Sequence, residues 1–279
     1  SAASILDAMI AAGGKGSLNS YELANVYNLY AFIHYSREDY AKALKAYEEV
    51  VAQPDIPLAM EINTKYTIAQ LYFVQEQWQK GIDALQGWFA LTDKPNANAY
   101  ILLAQGYYQL EDYDTALLNV EKAINMYEAE DKLPKEQWYN LARFLYFEKG
   151  DVTRTVATLE LLLRHYPKKD YWVQLSHMYG EQQKEGRQLA AMDTAYVQGM
   201  LDKGQEQVTM AYLYLNSNIP YRAGKVMEKG LKDGSIEPTA KNYEIAASAW
   251  RQAQELDKAI ADMEQAAAMS EQGELYARL

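Results

Sequence analysis

Apolar residues recur along this chain at helical spacing, three, four and seven apart, and each run stops at a short polar break before the next begins. The stretch from Tyr100 shows the unit most clearly. Tyr100, Leu103, Ala104 and Tyr107 share one helical face, and after the break Tyr113, Ala116, Val120 and Ala123 share another. Two amphipathic helices joined by a tight turn are the predicted unit. The residue that opens the second helix of each unit serves as a ruler: Tyr40, Trp78, Tyr113, Val152, Glu185, Pro220 and Leu256. The intervals run from roughly 33 to 39 residues, close to a helical-hairpin repeat of about 34, with the excess assigned to loops between units.

The phrase of an aromatic, a Leu-Ala or similar pair and a Tyr, followed after the break by an aromatic and an Ala three residues on, is the tetratricopeptide pattern. The predicted fold class is therefore all-α, a tetratricopeptide-repeat right-handed solenoid, a superhelix of helix-turn-helix units. A single repeat cannot bury its own apolar face, so neighbouring repeats bury it together. One array is expected over 1–279, with about seven full repeats at roughly 24–61, 62–96, 97–134, 135–168, 169–203, 204–239 and 240–272. Partial repeats are expected at both ends: Ile5 to Ala11 reads as the second helix of an earlier unit, and Gly273 to Leu279 as the opening of another. Solenoids normally finish in a polar cap, so apolar Leu275, Tyr276 and Leu279 suggest a piece of a longer array.

Punctuation fits these boundaries. Gly150-Asp151 marks a turn, Pro134 precedes a helix start, and Pro220 suits a first turn, where a missing N–H costs little. The fifth unit is the least regular, because Gln182 to Gly186 is polar where an aromatic is expected. Ala104 and Ala116 are the small residues that let paired helices approach, with Tyr107 and Tyr113 filling the space around them. Most of the 24 tyrosines are read as packing residues, among them Tyr27, Tyr40, Tyr47, Tyr72, Tyr179, Tyr214 and Tyr243.

Composition narrows the partners. The net charge of -11 repels nucleic acid and anionic lipid heads. No apolar stretch approaches the roughly 20 residues that span a bilayer, so nucleic-acid binding and direct membrane insertion are not expected. Cysteine is absent, which excludes disulfides and thiolate metal sites and fits periplasm and cytoplasm alike.

In a tetratricopeptide stack the first helices line the concave side. Residues one, five and eight after each opening position then face the groove. The candidate partner-binding set is Asn28, Phe32 and Tyr35; Tyr66, Gln70 and Phe73; Ile101, Gln105 and Tyr108; Tyr139, Arg143 and Tyr146; His177; and Tyr212. Rings between amides suit a bound peptide or protein partner, since rings supply contact area at low entropy cost and amides bond to backbone.

Catalysis finds no motif. His34, His165 and His177 have no metal-ligand spacing, and no Gly-rich phosphate loop is present. His34 replaces a packing Tyr, and His165 lies at a helix end that favours imidazolium. No catalytic residue, metal or cofactor is expected. The basic clamp that tetratricopeptide domains use to hold chaperone C-termini is missing, with Asn28, Phe32, Asn98 and Leu102 at the corresponding places.

Several longer phrases go beyond the generic repeat. They are Leu18–Pro57, Tyr66–Trp78, Ala99–Leu117, Tyr166–Glu181 and Pro220–Glu237. Together they resemble the tetratricopeptide proteins encoded beside TonB, ExbB and ExbD in Gram-negative gamma-proteobacteria. The resemblance implies an exported, periplasmic accessory of TonB-dependent uptake of iron complexes and similar nutrients, with a TonB-system component as partner. The alternative is an adaptor for another envelope or cytoplasmic assembly.

Overall fold

Each of the seven ruler residues is the first residue of a helix in the computed structural model, which describes residues 2–13 and 18–269. In chain order the helices are α1 (Ala2–Gly13), α2 (Ser20–Tyr35), α3 (Tyr40–Ala52), α4 (Leu58–Val74), α5 (Trp78–Phe89), α6 (Ala97–Gln109), α7 (Tyr113–Glu128) and α8 (Glu136–Glu148). They continue as α9 (Val152–His165), α10 (Lys169–Glu181), α11 (Glu185–Val197), α12 (Gly204–Asn216), α13 (Pro220–Asp233), α14 (Ala240–Gln252) and α15 (Leu256–Met269). Among the described residues there is no strand. The expected opening of a further unit at Gly273 to Leu279 lies outside the described residues.

The chain divides into two compact units, Ser1–Leu145 and Tyr146–Leu279, with the boundary inside α8. In the first, α1 packs on α2, and the hairpins α2/α3, α4/α5 and α6/α7 follow, each second helix lying against the next first helix. In the second, α9 packs on α10 and the hairpins α10/α11, α12/α13 and α14/α15 repeat that order. Within each unit these hairpins thus stack in sequence order, which is tetratricopeptide-type solenoid packing.

The turns inside the hairpins share one construction. Glu38, Glu76, Glu111, Gly150, Gln183, Asn218 and Gln254 all take positive φ, each two residues before a helix start. A left-handed residue there closes the preceding helix as a Schellman motif. At the third hairpin, Glu111 N–H donates to Tyr108 C=O at 3.0 Å and Asp112 N–H to Tyr107 C=O at 2.9 Å. The same pair of bonds recurs at every one of the seven turns, and the acceptor of the longer-range bond is always a ring residue: His34, Tyr72, Tyr107, Tyr146, Tyr179, Tyr214 or Trp250. In three hairpins the residue after the left-handed one also caps the next helix. Asp39, Asp112 and Asp151 accept from the backbone N–H of Lys42, Thr115 and Arg154. Pro220 is the first residue of α13, where its missing N–H is harmless.

Small residues let the helices close on each other. Ala31, Ala43, Ala69, Ala104 and Ala116 are fully buried, and large apolar groups such as Leu71, Ile82, Leu85, Met210 and Met227 fill the space between hairpins. Each such large side chain contributes about 1.5–3 kcal/mol through burial. His34 is buried beneath Tyr30, whose ring centroid is 4.5 Å away.

Candidate functional site

The first unit carries a recess of about 530 Å3 on the side formed by its first helices. Phe32 and Tyr35 come from α2, Gln70, Phe73 and Val74 from α4, and Leu102 and Gln105 from α6, with Tyr47 and Trp78 closing the sides. Five of these, Phe32, Tyr35, Gln70, Phe73 and Gln105, belong to the candidate set, so the helical offsets bring them to one place. Phe32 is 59% exposed although it is a large apolar ring, and Tyr35 and Val74 are also exposed. Gln70 and Gln105 are exposed. None of the described residues lining the recess is charged.

Phe73 departs from the expected groove exposure and is buried. Gly81 of α5 and Gly106 of α6 leave a slot that its ring occupies. A Cβ on Gly81 would lie 2.8 Å from Phe73 Cε2, and one on Gly106 2.8 Å from Phe73 Cε1. The ring therefore forms the floor of the recess rather than a free wall. Val74, Trp78 and Leu102 were not in the candidate set. An apolar residue beside the turn is the sequence signal for Val74 and Trp78, and Leu102 has no such signal.

The other candidates fall elsewhere. Asn28 is exposed. Tyr66 is half-buried against Trp88, with ring centroids 4.8 Å apart, and burial raises its phenol pKa against a hydrogen bond with Asn96. Tyr108 is half-buried, stacked on Tyr113 at 5.9 Å and edge-on to Phe144 at 5.5 Å. Ile101 is buried in the core instead of facing the groove, because α6 packs this side against its neighbours.

Tyr139 is also a core residue, only 3% exposed, with its hydroxyl bonded to Glu128 Oε1 at 3.0 Å. The reason is helical phase. Counted from Trp138, Tyr139 takes a groove position. Counted back from the turn, where Tyr146 C=O accepts the Asp151 N–H, it takes the packing position that Tyr100 holds before Tyr107 and Trp172 before Tyr179. Arg143 is half-buried beside Asn140. In the second unit, the half-buried Tyr146 ring lies under Arg154 at 5.5 Å, and His177 and Tyr212 are exposed on the first helices α10 and α12.

The sequence reading missed a polar ladder between successive hairpins. The ring residue that closes a first helix reaches back to the residue eight places into the preceding second helix. Tyr72 donates to Glu48 Oε1 at 2.8 Å and Tyr179 to Glu160 Oε1 at 2.5 Å, while Tyr214 donates to Asp193. Burial first, and then the carboxylate, push Tyr72 and Tyr214 up to about 12 and raise Tyr179 as well. A cation two places into the next second helix completes each rung: Arg187 lies 5.7 Å from the Tyr179 ring and Arg222 5.7 Å from that of Tyr214. Where the acid becomes Gln86, the cation becomes Thr115, and Gln86 Nε2 donates to Tyr107 Oη at 3.1 Å. Both charges are thus replaced together in that rung.

Among the described residues no three His, Asp or Glu side chains are grouped so as to hold a metal, and no helix is long and apolar enough to cross a membrane.

No family model and no curated protein matches the chain. Solved structures do. A tetratricopeptide repeat protein from Parabacteroides merdae is 14% identical with a TM-score of 0.52, the alignment covering 91% of this chain and 96% of that one. The C-terminal part of a tetratricopeptide repeat-containing protein from Cytophaga hutchinsonii is 11% identical with a TM-score of 0.56, covering 90% and 98%. YrrB, described as a tetratricopeptide protein with an unusual peptide-binding site, is 16% identical with a TM-score of 0.50, covering 62% and 84%. At these identities the likeness establishes the tetratricopeptide fold.

Proposed function

We propose that this chain is a non-enzymatic protein-interaction scaffold whose first unit receives an uncharged, apolar peptide segment of a partner protein in the Phe32–Gln105 recess. The observation that carries this reading is chemical. Exposed rings stand beside two exposed glutamines, and no charge is present to demand a counter-charge. Burying exposed Phe32 and Val74 against a partner supplies the driving force, and Gln70 and Gln105 can satisfy the backbone of an extended segment. The peptide-binding site named for YrrB supports the reading through the shared fold alone.

At a finer level, the proposed setting is the periplasm and the proposed partner a component of the TonB system, serving nutrient uptake. Its support is the resemblance of the Leu18–Pro57, Ala99–Leu117 and Pro220–Glu237 phrases to the proteins encoded beside TonB, ExbB and ExbD. The alternative is an adaptor in another envelope or cytoplasmic assembly.

Arrays of overlapping peptides covering the periplasmic parts of TonB and ExbD, probed with the purified chain, test both levels. Saturable binding by an apolar segment, weakened about tenfold or more by Phe32→Ala with helicity unchanged, is expected. Binding that survives Phe32→Ala and Gln105→Ala defeats the recess. Absence of any TonB or ExbD segment among the binders defeats the finer reading.

A further inference from the structure

A second recess, of about 540 Å3, opens in the second unit between α9, α10 and α11, beside the ring of Trp172. We propose that it is a binding site for a small organic acid with an aromatic or branched aliphatic body. This inference does not rest on the peptide recess of the first unit.

The space has an origin in sequence. The α11 wall is Ala190, Ala191 and Thr194. At the same distances from the helix start, α3 carries Lys45, Ala46 and Glu49, and α13 carries Lys225, Val226 and Lys229. The α3 set walls a cavity of only about 260 Å3 beside Tyr27 and Tyr30. In α7 the third member is Lys122, whose Nζ sits 4.5 Å from the ring centroid of Tyr100, the residue that stands where Trp172 does. Thr194 is too short to make that cover and turns its hydroxyl to Ala190 C=O of its own helix at 2.7 Å. The hairpin with the polar, irregular turn thus leaves Trp172 half-buried, without a lysine across its ring. The volume falls within the roughly 300–1,000 Å3 of small-molecule sites.

The charges select an anion. Arg164, in the last turn of α9, is exposed and forms no ion pair among the described residues. Arg187, in the first turn of α11, lies over the Tyr179 ring. The acid in the lining, Glu160, already accepts the Tyr179 hydroxyl at 2.5 Å. The buried Nε1 of Trp172 has no acceptor in the protein. The exposed Arg164 is therefore available to a carboxylate, with Arg187 a second cation in the same lining, and Trp172, Leu163, Leu175 and Ala191 to its apolar body. The recess is a local exception in a chain of net charge -11.

The test uses 3-phenylpropionate as probe and 3-phenylpropanamide as its neutral control. Both are titrated into the full chain labelled with 5-fluorotryptophan and followed by fluorine NMR, with the Trp172 signal assigned through Trp172→Phe. The expected result is a saturable shift of the Trp172 resonance with the acid, and binding of the amide weaker by about tenfold or more. Arg164→Gln and Arg187→Gln should weaken the acid and leave the amide unchanged, and Ala190→Leu should abolish both by filling the space. If Ala190→Leu does not fold, the two arginine variants decide. No saturable shift at Trp172, equal binding of acid and amide, or acid binding unchanged in both arginine variants would overturn the proposal.

Discussion

Tyr72, at the end of α4, donates its hydroxyl to Glu48 of α3 at 2.8 Å, tying one hairpin to the next across 24 residues of sequence. Tyr72→Phe leaves the carboxylate half-buried without that donor. It should lower unfolding free energy by about 1 kcal/mol, a bond to a charged group discounted for partial exposure. Urea denaturation of the single variants and of the double variant with Glu48→Gln checks this. Strictly additive losses would show that the two groups do not act on each other.

The same tyrosines set an alkaline limit. Burial and the neighbouring acids raise Tyr72 and Tyr214 from 10.0 to about 12, so the folded chain holds protons that the unfolded chain releases. Their stabilising contribution is complete below about pH 10 and is lost as pH rises toward 12. Thermal unfolding midpoints measured from pH 8 upward should fall above pH 10, and the fall should shrink in a Tyr72→Phe, Tyr214→Phe variant.

Asp262 acts in the opposite pH range. Burial, and then repulsion from Glu228, raise its carboxyl from 3.8 to about 6, against the pull of Lys258 and the Trp250 indole. An acid raised in the folded state favours folding while protonated, so stability should rise as pH is lowered from 7 through 6 toward 4. Asp262→Asn should stabilise the chain at pH 7 and flatten that dependence. Unfolding midpoints at pH 5 and pH 7 in both forms decide the matter.

The turn residues offer a backbone test. Glu111 is exposed at φ 62°, a conformation that costs an L-residue about 1–2 kcal/mol relative to glycine. Glu111→Gly should stabilise by up to about 1 kcal/mol, part of the relief being offset by unfolded-state entropy. Gly150→Ala, at φ 69° with open space around its Cβ position, should destabilise by about 1 kcal/mol from backbone strain alone. Equal stability of all three chains would remove the left-handed turn from the account.

Gly106→Ala tests the floor of the recess. Alanine is the better helix former by about 1 kcal/mol, yet its Cβ would meet Phe73 at 2.8 Å and Ile82 at 2.9 Å. A net loss of about 1–3 kcal/mol is expected, together with altered binding in the recess that Phe73 underlies. A stabilised variant would mean that the Phe73 ring is free to move aside.

The helix starts were legible in the sequence because the residue opening each second helix repeats, and even Glu185, with no apolar signal, was placed by spacing. The exposed row at Phe32, Gln70, Gln105, His177 and Tyr212 was legible for the same reason, lying at one repeat position, two places before the ring residue that closes each first helix. Tyr139 was misplaced because Trp138 and Tyr139 are both large rings and the phase of α8 is fixed by its turn, not by its first aromatic. Phe73 was misplaced because its burial depends on two glycines on other helices, Gly81 and Gly106. The acid–tyrosine–cation ladder went unseen because each rung draws its members from three helices.

Where Asp39, Asp112 and Asp151 stand, one side chain starts a helix and the backbone beside it ends another. An inserted or deleted residue at such a corner would break both at once, whereas the connections between hairpins, such as 90–96 and 129–135, carry no such double duty. Changes of length among natural variants, and peptide grafts made by design, should therefore be accepted in those outer connections and rejected at the inner corners.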